Sequence, residues 1–377
     1  MLLKGLARIG SVELALILSD RPDTSQLDED VQIHCIQKVA RPPLELLSFS
    51  LRARQKIQEL LGKGQVDIIH YTNDYCGFAL PGQWIGKPLV ATMHHPYALE
   101  AQVYHTEVGW HMRDLVRYQV ARRPFLLNSL QRNLCNRSRK LIAVSRFSAN
   151  AILREHKIPP DKVTVVPNGI DQEVFNPGIL GLEMKQRWGF PSQRVLLFTG
   201  RLDYSKGLTY LIEAFNKIVQ RVSDVRLVIV GEGILRNQLL RLARRRNLRN
   251  AVKFTGRLHP QDLLKAYAAA DIVVCPSLME GFGLSLLEAM AVGKPCVAAA
   301  SGGMSELLAT WQNGVLVPPA DSIALQLAIE TLLSDSNLCQ RLGMAARKTV
   351  EMNFTLEKMA QRTLAVYHDV LNENCSD

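Results

Sequence analysis

The sequence contains no CxxC pair and an odd number of cysteines, seven in all: Cys35, Cys76, Cys135, Cys275, Cys296, Cys339 and Cys375. That excludes a zinc ribbon and a disulfide framework, and it predicts reduced thiols in a cytoplasmic protein. No apolar run reaches the roughly eighteen residues that a membrane-spanning helix requires. The opening MLLKGLARIGSVE has too short an apolar block, and no cleavage site, for a signal peptide. There is no low-complexity tract and no short-period repeat. Acid is scarce in one region above all: residues 110–146 hold nine Arg or Lys against the single acid Asp114. Something anionic is expected to approach that part of the chain, within an overall charge of +10.

What is present is ordinary globular material, 377 residues that are 47% hydrophobic and 21% charged, enough for two domains. Short β-rich runs alternate with helical patterns. VELALILSD, VQIHCIQ, VDIIHY and KPLVATMHH read as strands in the first half, and LLSFSLRARQKIQELLGK as a helix between them. Beyond residue 190 the strand candidates are VLLFTG, VRLVIVG, VKFTG, DIVVCPS, PCVAAA and GVLVPP. Leu208, Leu211, Ile212, Phe215, Ile218 and Val219 form one helical apolar face. Strands apolar throughout, alternating with helices, predict parallel sheets covered on both sides. The fold class is therefore α/β with two doubly wound, Rossmann-like domains. VPNGID at 166–171 marks their junction, giving domains at 1–170 and 171–352, and FTLEKMAQRTLAVYHDVL predicts a final amphipathic helix within 353–377.

Three strand-end stretches carry candidate chemistry. GRLDYSKG (200–207) follows VLLF, so Gly200, Arg201 and Lys206 sit in a loop that leads into a helix. Two cations beside a helix N-terminus suit a diphosphate, although a solvated loop with two surface charges would read the same. VGEG, with Gly231, is a second strand-end turn and is weak alone. The third is EGFGLSLLE (280–288). Gly281 and Gly283 argue against one helix across it; a loop over the end of DIVVCPS followed by the helix LSLLEAMAVG fits better. Glu280 then lies in the loop, with the N–H groups near Phe282, Gly283, Leu284 and Ser285 at the helix start, and Glu288 in the second turn. A carboxylate on a largely buried helix needs partners, and the vicinal hydroxyls of a ribose are suitable ones. A capping Glu plus a salt-bridged Glu is the alternative.

GRLDYSKG, VGEG, AAADIVVCPS and EGFGLSLLEAMAVGKPCVAA, in this order and spacing, resemble the nucleotide-binding half of retaining glycosyltransferases of the GT-B fold, nearest to family 4 (group 1). The resemblance implies two domains facing a cleft, with the C-terminal helix crossing back to the first. It also implies that Arg201 and Lys206 hold the donor diphosphate, Glu288 the donor ribose and Glu280 hydroxyls of the donor sugar. Phosphate would sit on backbone N–H groups near Leu284. It implies no metal, no cofactor and no protein nucleophile; the substrate is a UDP-, GDP- or ADP-sugar.

The first domain is expected to hold a glycan, lipid-linked or small-molecule acceptor. TMH at 92–94 matches the family's histidine beside the donor sugar through His94, with His95 as the alternative and two strand-capping histidines as the plain reading. His105 and His111 lie nearby in sequence but match no usual metal spacing. The basic, apolar segment around Arg117, Arg122 and Arg123 resembles a family element that touches lipid or an acidic acceptor. That predicts an anionic membrane surface as a partner and a peripheral location on the inner face of the cell membrane. A solvated helix face is the alternative, and no nucleic-acid module is recognisable. Family members begin with a strand and a Gly-rich loop, whereas LLKGLARIG resembles the helix that follows these. The resemblance thus implies that one wall of the site is missing, and a non-catalytic nucleotide-sugar-binding protein and a sugar-nucleotide epimerase remain rival readings.

Overall fold

A computed structural model describes residues 1–9, 14–18, 31–35, 44–72, 86–95, 97–108 and 128–374. Two compact units emerge. One comprises Met1–Ala101, Arg113–Gly169 and Leu356–Asp377; the other comprises Ile170–Thr355 with Gln102–Met112.

The first unit runs through α1 (Leu2–Ile9), β1 (Leu14–Leu18), β2 (Val31–Cys35), α2 (Leu44–Gly62), β3 (Ile69–Tyr71), β4 (Leu89–Met93), the start of α3 (Tyr97–Val108, which belongs to the second unit from Gln102), α4 (residues 128–137), β5 (Lys140–Ala143), α5 (Arg146–His156) and β6 (Val163–Val165). β3, β4, β5 and β6 form a parallel sheet in that order, and β1 and β2 pair in parallel with each other. The strand period of two sorts the core. Leu89, Ala91 and Met93 join one cluster with Leu141, Ala143 and Ile152. Val90 and Ile142 face the other way, onto Val166 and four residues of the last helix, α14 (Leu356–Asn374): Leu356, Met359, Val366 and Val370. Each such side chain contributes about 1.5–3 kcal/mol when fully buried. The C-terminal helix is thus a layer of the first unit's sheet, the return expected from the family fold. It starts at Leu356 rather than 353: Phe354 closes the preceding helix through its N–H to Val350 O, and Thr355 pairs with Ile170 where the chain enters the second unit.

β5 and β6 were not expected as strands. KLIA follows a dense run of Arg, and VTV spans only three residues before the VPNG turn.

The second unit contains α6 (Leu182–Trp188), β7 (Arg194–Thr199), α7 (Leu208–Arg221), β8 (Val225–Val230), α8 (Arg236–Arg245), β9 (Val252–Gly256), α9 (Pro260–Ala269), β10 (Ile272–Cys275), α10 (Leu284–Ala291), β11 (Cys296–Ala299), α11 (Met304–Leu307), β12 (Val315–Val317), α12 (Ser322–Ser334) and α13 (Ser336–Asn353). All six expected strands are present. They form one parallel sheet of order β12-β11-β10-β7-β8-β9. Every residue of β10 and β11 is buried, as are Val195 to Thr199 of β7, so helices cover both faces. The chain winds outward from β7 through β8 to β9, then returns to β10 and winds the other way. The order therefore reverses between β7 and β10, and in open parallel sheets ligands bind beyond the carboxyl ends of the strands at that reversal.

Candidate functional site

The loops after β7 and β10 flank the reversal, and they carry the residues singled out from sequence. After β7, Gly200 N donates to Val230 O (3.1 Å) and Leu202 N to Glu232 O (2.9 Å), lacing this loop to the one that begins at Gly231. Asp203 caps a short 3-10 turn, Tyr204–Lys206; its Oδ1 accepts from Ser205 N at 3.0 Å and Ser205 Oγ at 2.6 Å. Arg201 reaches Asp203 Oδ2 with Nε at 3.2 Å and keeps 64% of its side chain exposed. Ser205 O accepts Leu278 N at 2.7 Å, which ties the β7 loop to the β10 loop.

Across that tie Lys206 Nζ donates to Glu280 Oε2 at 2.5 Å, with the two side chains only 15% and 21% exposed. Ser277 Oγ lies 3.4 Å from the same carboxylate oxygen. The loop after β11 braces Glu280 from the far side. Gly303 N donates to Glu280 O at 2.9 Å, and a Cβ on Gly302, whose φ is +57°, would fall within 1.9 Å of that carbonyl oxygen. Only glycine allows this approach. Gly302 and Gly303 did not stand out in sequence, although two adjacent glycines two residues beyond a strand were a visible signal.

α10 begins at Leu284, 40% exposed, with Gly283 at φ +104° before it. The loop and helix were both expected here, and the first N–H groups of α10 lie at the carboxyl edge of the sheet. The Phe282 side chain is 4% exposed and packs edge-on against Phe354 at 5.9 Å. Its ring belongs to the core, so only its backbone can serve a ligand.

Glu288 lies one turn further on. Its Oε2 accepts the Tyr267 hydroxyl at 2.6 Å, and Tyr267 is fully buried on α9. Thr199, the last residue of β7, meets the same hydroxyl at 2.5 Å. Burial pushes the Glu288 carboxyl up to about 7, and the Tyr267 hydrogen bond opposes that rise. Neither partner stood out in sequence, since Tyr267 lies in an alanine-rich helix.

In the first unit His94 and His95 end β4. His94 Nε2 lies 3.1 Å from Thr72 O, and Ser148 Oγ donates to His94 O at 2.7 Å. His95 Nε2 lies 3.3 Å from Glu100 Oε2. Arg117, Arg122 and Arg123 fall outside the described residues. Among the described residues no helix is long and apolar enough to cross a membrane.

Taken together, Gly200, Arg201, Lys206, Gly231, Glu280, Gly281, Gly283, Leu284, Ser285 and Glu288 line the carboxyl edge of a single sheet. Two cations, two carboxylates and a helix N-terminus can there bind a diphosphate and polyhydroxylic groups beside it.

The model for glycosyl transferases group 1 matches residues 182–349, and that for glycosyltransferase family 4 matches residues 1–174. An uncharacterized glycosyltransferase of Methanocaldococcus jannaschii is 28% identical over 97% of this chain and 92% of its own. The D-inositol 3-phosphate glycosyltransferase of Corynebacterium diphtheriae is 30% identical, covering 74% of this chain and 70% of its own. Among solved structures, Anabaena HepE in complex with UDP-glucose superposes with a TM-score of 0.74 at 22% identity, covering 100% of this chain and 94% of its own, a likeness of fold. The chain belongs to the group 1, family 4 glycosyltransferases and has their two-domain α/β GT-B fold.

Proposed function

We propose that this protein is a retaining, metal-independent hexosyltransferase that moves the sugar of a nucleotide-diphosphate sugar to a glycan, lipid-linked or small-molecule acceptor. The observation that carries the reading is the Lys206–Glu280 pair at the sheet reversal, beside the N-terminus of α10 and on the same edge as Glu288.

Lys206 and Arg201 hold the diphosphate, and the N–H groups at the start of α10 take its free oxygens. As the bond from C1 to the phosphate oxygen breaks, these donors stabilise the charge gathering on the leaving group, where one fixed donor is worth about 3–4 kcal/mol. The acceptor hydroxyl attacks C1 on the same face, and a phosphate oxygen takes its proton, so that one C–O bond is lost and another forms. Glu280 accepts from hydroxyls of the transferred sugar, and Glu288 accepts from the ribose. In this reading His94 serves beside the sugar and the first unit holds the acceptor. The basic segment containing Arg117, Arg122 and Arg123 lies on an anionic membrane, which makes the protein peripheral on the cytoplasmic face.

The test is a panel of UDP-, GDP- and ADP-sugars, read by thermal shift and by donor turnover with and without added acceptors. HepE's bound UDP-glucose makes that donor the first to try. A stabilising donor that Lys206→Ala fails to bind supports the site. Conversion of the donor without transfer to any acceptor would favour an epimerase, and no stabilisation by any donor would remove the reading.

A further inference from the structure

Among the described residues Glu288 has no cationic partner; its one polar contact is the Tyr267 hydroxyl. Among the described residues Tyr267 is the largest fully buried side chain, packed edge-on against Phe175 at 6.4 Å. A buried phenol needs its hydroxyl satisfied. Three oxygens surround it: Thr199 Oγ1 at 2.5 Å, Glu288 Oε2 at 2.6 Å and Ser285 O at 3.3 Å. A phenol has one proton to give, and a backbone carbonyl only accepts. Of the two oxygens that can only accept, the Glu288 carboxylate is the nearer and takes the proton, and Thr199 donates in turn to the phenol oxygen. The last residue of β7, the last turn of α9 and the second turn of α10 are thus joined in a directed chain that ends on one carboxylate oxygen.

We infer that Tyr267, oriented by Thr199, is a positioning residue that fixes Oε2 of Glu288 and leaves Oε1 to accept the vicinal hydroxyls of the donor ribose. This rests on the assignment of Glu288 to the ribose made above. A carboxylate at this depth otherwise tends to take up a proton and lose acceptor capacity; the hydrogen bond from Tyr267 favours the ionised form. The titratable groups facing Glu288 are Tyr267 from α9 and Cys275 at the end of β10. The Cys275 thiol, pushed up to about 12 by burial, stays neutral through the relevant range.

The experiment measures, by titration calorimetry from pH 6 to 9, the affinity of the intact protein for UDP, GDP and ADP and for their 2′,3′-dideoxy forms. The tightest pair is then followed in the variants. Wild type should prefer the ribose form, increasingly so as pH rises through about 7. In Tyr267→Phe that preference should fall about tenfold at pH 7 and return by about pH 9, while affinity for the dideoxy form changes by less than about twofold. Thr199→Val should shift the preference in the same direction by less. Glu288→Gln should abolish it at every pH. A Tyr267→Phe protein with wild-type preference and pH midpoint overturns the inference and leaves the ribose assignment standing. Equal loss for both nucleotides at all pH values makes Tyr267 a packing residue and also overturns it. A Glu288→Gln protein that keeps the preference, or a wild type that binds none of the nucleotides, removes the ribose assignment itself.

Discussion

Lys206 and Glu280 neutralise each other across the point where the strand order of the second sheet reverses, 2.5 Å apart and largely shielded from water. Under the function proposed above, a diphosphate arriving at Lys206 competes with Glu280, and sugar hydroxyls arriving at Glu280 compensate it for the lysine it releases. A molecule carrying both groups, suitably spaced, would then separate the pair without leaving either charge stranded.

The pair should behave as a unit in stability and in activity. Lys206→Ala leaves a shielded carboxylate unpaired and should destabilise the protein by about 1–3 kcal/mol. Adding Glu280→Gln should recover most of that loss. Denaturant melts of the four proteins in the cycle measure the coupling, and additive effects would mean that the pair is not coupled. Either single change should cost transfer roughly 10²–10³-fold, with Glu280→Gln folding nearly as well as wild type.

Glu288 should make the unliganded protein less stable as pH rises. Its carboxyl is raised from 4.5 to about 7 by burial, so the folded state holds the proton more tightly than the unfolded one. The stability this gives is fully present below pH 4.5 and is lost as pH climbs through about 7. Glu288→Gln should therefore be more stable than wild type at pH 8, by on the order of 2–3 kcal/mol, with the gap closing towards pH 4.5. Thermal melts across that range test it, and a constant gap would contradict the assignment.

The first unit should have the opposite dependence. His70 is buried against Tyr367 (2.6 Å) and Thr92 (2.8 Å), and burial lowers it from 6.5 to about 4. His156, bonded to Gln131 at 3.0 Å, is lowered to about 4 by burial and by Arg132. Both favour the neutral form in the folded state, so their contribution is present above pH 6.5 and is lost as pH falls towards 4. His70→Gln keeps polar contacts but cannot titrate, and it should flatten the acid limb of the stability curve; an unchanged limb would mean that His70 does not contribute to it.

Gly302→Ala should lower stability by about 2 kcal/mol or more, since the new methyl meets Glu280 O in a backbone conformation unsuited to it. Under the proposed function donor affinity should fall with it, because the displaced carbonyl belongs to the residue assigned to the donor sugar. Wild-type donor affinity in the variant would show that the β11 loop does not brace Glu280.

Replacing Arg117, Arg122 and Arg123 together by Gln should weaken binding to vesicles containing anionic lipid, with each charge worth about 1 kcal/mol near the surface. Unchanged sedimentation with such vesicles would make the segment ordinary surface.

The second sheet was legible because its strands are short apolar runs, all but β11 ended by Gly or Pro, and the alternation with helical patterns predicts parallel pairing. β5 and β6 were not: one is four residues behind a basic stretch, the other three residues before a turn. At the site, the spacing of Glu280 and Glu288 and the position of Lys206 could be read directly. Their partners could not. The Lys206 contact spans 74 residues and exists only because β10 returns to lie beside β7. The Tyr267 hydroxyl has no local pattern, since its role depends on what the sheet brings to it from β7 and α10. Sequence spacing reports residues that share one element; contacts made by sheet order become visible only once the order is known.

The last helix has a consequence for synthesis. Its Leu356, Met359, Val366 and Val370 complete a core whose other members, Val90, Ile142 and Val166, leave the ribosome much earlier. The sheet of the second unit, by contrast, is drawn entirely from the continuous segment 194–317. The middle of the chain can therefore close its sheet while the beginning still waits with one face open. A chain cut before Leu356 should leave that early-made half exposed to aggregation and proteolysis, although the residues it lost are made after the strands of both sheets.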